Sequence, residues 1–343
     1  MNQFPSASFG NNFSKSVEQL RFWLPIDAVI HEGRPAIKWM DVGDAEFKEP
    51  FFHETIASLE TQQTAISELD LLLQLEKVAD SHQPAGFIFH SSRCGSTLLA
   101  NACKSLDNSL VISEAPVLDK LASRFFTDAE QGSAQEMLYM LFLRAAVTLL
   151  GQRRKGPERR YFIKFACTTT LQLQRIRKIW PQVPSIFLYR DPVEIIVSNL
   201  KATPEWMQPE SNPATAAAIV GVAVDDLGAM SPAEFCARAL GRFFEVAASN
   251  KSPQLRTINY SAVTSEWLVE ALNHFAVTPK AGEVDAIDKV SRLYSKDIAG
   301  RQAFSEDSAS KRAAASTYVI ELADTWARAA YERLNTSIHE GKI

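Results

Sequence analysis

Residues 87–102 read FIFHSSRCGSTLLANA. A short apolar run ending at His90 gives way to a loop of Ser, Arg, Gly, Ser and Thr. Leu98, Leu99, Ala102 and Leu106 then recur at helical spacing, which predicts a helix starting near Ser96. The first free N–H groups of such a helix, with the positive end of its dipole, make an anion site. Gly95 permits close backbone approach, Ser96 and Thr97 offer hydroxyl donors, and Arg93 supplies a full charge. Cys94 stands where a thiol is acidified, but no base lies near it in sequence, which favours a passive small residue. The loop lacks the Gly-Lys-Ser/Thr of ATP and GTP binders. The competing reading is a plain strand-to-helix turn whose Ser and Thr only cap the helix.

From residue 85 onward, short apolar runs alternate with helical periods. Strands are expected at 86–90, 109–113, 160–165, 184–189 and 255–260. Helices are expected at 97–106, 117–126, 134–150, 170–179, 191–200 and 232–248. This alternation predicts an α/β fold, a parallel sheet flanked by helices, with sites at the carboxyl ends of the strands. A C-terminal helix near 317–336 is expected to pack back on the sheet. Residues 1–83 read as a small N-terminal appendage to an α/β domain over 84–343. Within the appendage, AVIHEGRPAIKWM (28–40) predicts a hairpin turning at Glu32-Gly33. Helices are expected over 50–60, with Pro50 at the first helical position, and over 69–80.

A second anion segment is SIFLYRDPVEIIVSNL (185–200). Arg190 falls at a strand tip, and Asp191-Pro192 opens a helix as cap and first residue. Val193, Ile196, Val197 and Leu200 read as the buried stripe, and Ser198 lies off it. A guanidinium and a hydroxyl two turns down grip one phosphate between them. The alternative is a structural arginine pairing with Asp191 or Glu194. Two anion sites at strand ends of one sheet suit a nucleotide with phosphates at both ends of its ribose, which ATP is not.

The 343 residues carry a formal net charge of −4, so no global basic field draws the chain onto nucleic acid or anionic lipid. Cys94, Cys103, Cys167 and Cys236 show no Cys-x-x-Cys spacing, and the start shows no signal pattern. Both suit a cytoplasmic protein. MLYMLFLRAAVTLL (137–150) carries Arg144, is too short to span a bilayer and reads as a buried core helix. The six histidines, His90 among them, show no metal spacing. The basic run QRRKGPERR (152–160) reads as a solvated loop, with a site for an acidic acceptor as the alternative.

The two anion segments, in this order, resemble the sulfotransferase superfamily, whose donor is 3′-phosphoadenosine 5′-phosphosulfate (PAPS). SSRCGSTLL (91–99) is similar to the family's 5′-phosphosulfate loop, with Arg93 where many members have Lys. YRDPVEIIVSNL (189–200) resembles its 3′-phosphate segment, and INYSAVTSEWLVEALNHF (258–275) a later tyrosine-containing segment. The resemblance implies a P-loop-like nucleotide-binding fold. It also implies donor contacts from Arg93, Cys94, Gly95, Ser96, Thr97, Arg190 and Ser198. Cytosolic members place a catalytic His two residues after a Lys, whereas here Lys164 is followed by Phe165 and Ala166. The analogy then moves to members with a glutamate base after the second strand, where VISEAPVLDKL (111–121) offers Glu114. A helix-starting carboxylate ahead of Pro116 is the other reading of Glu114. The Arg-Lys-Gly run that the cytosolic members carry near the C-terminus is missing, with Arg292, Lys296 and Arg301 as replacements.

On this resemblance Glu114 takes the acceptor's proton while Arg93 and Lys164 hold the charge on the leaving phosphate. The sulfuryl group carries less charge than a terminal phosphoryl, so no metal is expected. The acceptor is a hydroxyl or amine that no motif identifies. A P-loop kinase using ATP and a nucleotide-binding module without turnover are the alternatives.

Overall fold

The computed structural model describes residues 20–60, 63–127, 130–154, 158–260, 265–292 and 308–340. Its first elements are an antiparallel hairpin of β1 (Trp23–His31) and β2 (Arg34–Asp41). Glu32 and Gly33 connect them with φ of 49° and 76°, the double positive φ that a two-residue primed turn requires. A third strand, β3 (Thr64–Glu68), pairs with β2. No hydrophobic period marks it, because TAISE buries only Ser67, whose hydroxyl accepts from Trp39 Nε1 at 2.8 Å. The helices here are shorter than periodicity suggests, α1 (Phe52–Ala57) and α2 (Asp70–Glu76), and Pro50 does not take the first helical position but precedes the N-cap, Phe51.

The remaining strands are β4 (Pro84–His90), β5 (Ser109–Ser113), β6 (Arg160–Lys164), β7 (Ser185–Tyr189) and β8 (Leu255–Asn259). They form one parallel sheet in the order β5-β6-β4-β7-β8, the α/β architecture expected. Between them run α3 (Ser96–Lys104), α4 (Pro116–Thr127), α5 (Ala134–Leu150), α6 (Leu173–Ile179), α7 (Pro192–Lys201), α8 (Pro213–Val220) and α9 (Pro232–Ser249). After β8 come α10 (Ser265–His274), α11 (Ala281–Ser291), α12 (Ser308–Ala313), α13 (Thr317–Trp326) and α14 (Arg328–Glu340). Both sheet faces are covered, which is why the strands read as unbroken apolar runs. Phe87, Phe89, Ile163 and Phe187 enter the main core with α5 and α9, and that core also takes Trp23, Ile37 and Trp39 from the hairpin. Ile88, Val111, Phe162 and Ile186 pack on α3 and α10 from the other side.

Several expectations need correction. Only one face of α5 is buried: Met137, Leu138 and Leu141 stay exposed, and Arg144 pairs with Glu76 at 2.8 Å. The stripe of α7 is Val193, Ile195, Ile196 and Asn199, whereas Leu200 is exposed. The helix expected over 170–179 begins as a 3-10 turn, Cys167–Gln172, ahead of α6. The C-terminal helix is broken at Ala327 into α13 and α14. It does return to the sheet, where Asn335 Oδ1 accepts from Tyr189 OH at 2.9 Å and Asn259 Nδ2 at 3.0 Å. The four cysteines are buried and free. Among the described residues no helix is long and apolar enough to cross a membrane.

Candidate active site

The order β5-β6-β4-β7 brings the carboxyl ends of four strands together, and with them Glu114, Lys164, His90 and Arg190. The loop after β4 has three left-handed residues, Ser92 (φ 70°), Arg93 (φ 49°) and Gly95 (φ 80°). Such a run turns successive N–H groups to one side, and α3 begins at Ser96, as the spacing predicted. Glycine is needed at position 95 twice over, for its φ and because a Cβ there would lie 2.6 Å from the Tyr260 ring. Ser96 and Thr97 are buried at the helix start. Cys94 Sγ contacts the Leu188 carbonyl at 3.2 Å, and burial pushes its thiol up to about 11, so it is a packing residue.

Arg93 does not hang over the loop as a loose charge. Its Nε donates to Asn199 Oδ1 at 3.1 Å, and Nη2 to the Ala202 carbonyl at 2.7 Å, at the end of α7. Asn199, fully buried, also accepts from Ser92 Oγ at 3.3 Å. The Asn199 side chain of one anion segment therefore holds the Ser92 and Arg93 side chains of the other. Nothing local in the sequence marks Asn199 for this task, since the clamp closes between residues 92 and 199.

Arg190 sits at the tip of β7, buried, and Asp191 caps α7 by accepting from Val193 N at 2.9 Å. The Arg190 guanidinium lies 4.6 Å from the Tyr260 ring centroid, donates to Ser308 Oγ at 2.9 Å and pairs with the buried Glu194. Arg312 reaches the other oxygen of Glu194 at 3.3 Å. One tyrosine ring thus touches both the Gly95 loop and Arg190. Ser198 is half-buried on α7, two turns down. Arg312 is a cation that the sequence did not single out, although its four-residue spacing from Ser308 puts both on one helix face. Arg292 instead pairs with Asp288 at 2.7 Å within one helix, and Lys296 and Arg301 lie outside the described residues.

Glu114 follows β5 with φ of 55°, a left-handed conformation that costs a non-glycine residue about 1–2 kcal/mol. Its amide donates to the Lys164 carbonyl at 2.7 Å, and its carboxylate accepts from the Lys164 ammonium. Lys164 is buried, 3.4 Å from Thr97 Oγ1 and 4.7 Å from the centroid of the Phe51 ring, so the N-terminal segment forms part of the site. His90 Nε2 lies 3.3 Å from Glu114 Oε1, while its Nδ1 accepts from Ser92 N at 3.1 Å. That bond leaves the proton on Nε2, facing the carboxylate. Burial alone would raise the Glu114 carboxyl, but Lys164, aided by His90, holds it well below the usual carboxylate range. Burial pushes the His90 imidazole down, with Glu114 only partly offsetting it. His90 carries no metal spacing, and its place beside Glu114 arises from strand order alone.

Beyond Glu114 opens a cavity of about 480 Å³, lined in part by Asp119, Thr168, Thr169, Gln172 and Trp206. The described residues of the basic run do not line it. Arg154 donates to the Gly43 and Ala45 carbonyls, Arg153 pairs with Asp80, and residues 155–157 lie outside the described set. No group of three or more His, Cys, Asp and Glu among the described residues is arranged to hold a metal ion.

No family model matches the chain, and no curated protein matches it. Among solved structures it is similar to the sulfotransferase domain from the Synechococcus PCC 7002 olefin synthase. The sequence identity is 14%, with 71% of this chain and 94% of that chain covered and a TM-score of 0.38.

Proposed function

We propose that this protein is a sulfotransferase that moves a sulfuryl group from PAPS to an acceptor hydroxyl or amine, with Glu114 as general base. The observation that carries the reading is the pair of anion segments on adjacent strands, β4 and β7, bridged by Tyr260 and clamped by Asn199. Two phosphate sites one ring apart suit a nucleoside bisphosphate better than a triphosphate chain. The left-handed loop and the start of α3 fit the 5′-phosphosulfate, and Arg190, Ser198 and Arg312 fit the 3′-phosphate.

When bound, the donor supplies a sulfur activated by its mixed anhydride with phosphate. The acceptor oxygen or nitrogen bonds to sulfur, the sulfur–oxygen bond to the phosphate breaks, and adenosine 3′,5′-bisphosphate leaves. Glu114 takes the acceptor's proton. Lys164, within reach of Thr97, stabilises the charge on the departing phosphate oxygen. In the resting arrangement Lys164 weakens Glu114 as a base. A donor that draws the ammonium toward the loop returns the carboxylate toward its ordinary basicity. Arg93 serves by fixing the loop to α7 rather than by touching sulfur.

The test is transfer of label from sulfur-labelled PAPS to a metabolite pool, with phosphorus-labelled ATP and Mg²⁺ alongside. Sulfate gain supports the reading. Phosphate gain with no sulfate gain moves it to a kinase.

A further inference from the structure

Among the described residues, the wall of the 480 Å³ cavity carries three carboxylates, Glu114, Asp119 and Glu205, against one ammonium, Lys120. Two of these charges are already engaged. Glu114 is paired with Lys164, and Lys120 with Asp27 at 2.8 Å. Neither Asp119 nor Glu205 has an ion pair with another described residue. The uncompensated charge that the described residues bring to the cavity is therefore negative.

Asp119 is the carboxylate held in a fixed direction. It stands in the first turn of α4, and the hydroxyls of Thr168 and Thr169 both donate to Oδ1, at 2.8 and 2.9 Å. Two donors on one oxygen fix the rotation of the group and leave Oδ2 without a donor among the described residues. Burial pushes the Asp119 carboxyl up, the two threonines oppose this, and Glu114 and Glu205 push it further up. Such a group gains most from a ligand that brings its own positive charge. A second observation points to a ligand here. Gln172, 1% exposed and part of the cavity wall, has its carbonyl oxygen taken by Arg175 at 2.8 Å while its amide nitrogen has no acceptor. Trp206 adds an aromatic wall suited to an ammonium.

We infer that the cavity selects a cationic acceptor: a hydroxyl compound whose ammonium group pairs with Asp119 Oδ2 while its hydroxyl reaches Glu114. The placement of the hydroxyl rests on the sulfotransferase reading, whereas the selection of charge does not. The same field disfavours sulfated or phosphorylated sugars and acidic peptides.

Three benzyl alcohols that differ only at the para position provide the test. They are 4-(aminomethyl)benzyl alcohol, 1,4-benzenedimethanol and 4-(hydroxymethyl)benzoate, titrated calorimetrically into the full chain with and without adenosine 3′,5′-bisphosphate. The amine is expected to bind about tenfold tighter than the diol, and the benzoate weakest. Asp119→Asn should remove the amine's advantage and leave the diol within about twofold of wild type. Should that variant fail to fold, the wild-type ranking decides, together with the exposed Glu205→Gln, which should weaken the amine by about two- to threefold. Equal binding of amine and diol, tighter binding of the benzoate, or no binding of any probe up to about 10 mM overturns the inference. Amine selectivity in a protein that does not bind the bisphosphate would uphold the cationic cavity and refute the sulfuryl donor. Bisphosphate binding without amine selectivity would do the reverse.

Discussion

Lys164 and Glu114 are joined twice, by the Glu114 amide donating to the Lys164 carbonyl at 2.7 Å and by the Lys164 ammonium donating to the Glu114 carboxylate. Lys164 is 1% exposed, so its charge has little recourse to water. Removing either partner strands the other. Lys164→Met and Glu114→Gln should each cost about 3–5 kcal/mol of stability, and the double variant clearly less than their sum. Urea denaturation of the four proteins measures this coupling. Additive losses would contradict the pairing.

The same pair sets an acid limit on stability. The folded Glu114 carboxyl is held below its ordinary 4.5, so its contribution is complete above that pH and is lost as pH falls beneath it. His90 is held below its ordinary 6.5, so the unfolded chain takes up that proton first and stability declines as pH falls through 6.5. His82 and His274, also pushed down, share the second slope. Glu114→Gln should flatten the acid limb below about 4.5, and His90→Asn should reduce the slope just below about 6.5. Chemical denaturation across pH would show unchanged slopes if these assignments were wrong.

Glu114→Gln separates base from binder. The amide keeps the shape of the side chain and can no longer take the acceptor's proton. Turnover with an acceptor found by labelled-donor screening should fall about 10²–10⁴-fold, with the affinity for adenosine 3′,5′-bisphosphate nearly unchanged. Near-wild-type turnover would place the base elsewhere.

Arg190 is both a candidate phosphate contact and the partner of buried Glu194. Arg190→Ala should therefore lower stability whatever the ligand, although Arg312 remains within 3.3 Å of Glu194. Its effect on affinity must be read as a difference between ligands. Adenosine 3′,5′-bisphosphate should lose about 10- to 150-fold and adenosine 5′-phosphate much less. Equal losses for both would make Arg190 structural.

Local chemistry was legible in the sequence. The helix start at Ser96, the cap at Asp191 and the turn at Glu32-Gly33 each depend on residues a few positions apart, and each stands where the pattern put it. The parallel sheet followed from apolar runs separated by helical periods. What sequence spacing did not reveal were groupings made by strand order and long-range packing. His90 meets Glu114 across β6, Asn199 holds a loop that precedes it by more than a hundred residues, and Phe51 covers Lys164 from the N-terminal segment. Arg93 was expected to lend its charge to the loop, yet two of its donors are committed to α7. β3 is not legible because an edge strand with one buried residue has no hydrophobic period.

The donor decides the account, and one thermal-shift comparison tests it. Adenosine 3′,5′-bisphosphate, AMP, and ATP with Mg²⁺ are each added at equal, saturating concentration to the full chain. A ligand that binds only the native state raises Tm, by about 2.7 kcal/mol of added stability at a hundred times its Kd. The bisphosphate should raise Tm well beyond the other two, since it alone fills both the Gly95 loop and the Arg190 site. A shift with ATP and Mg²⁺ equal to or larger than that with the bisphosphate would contradict the sulfotransferase reading.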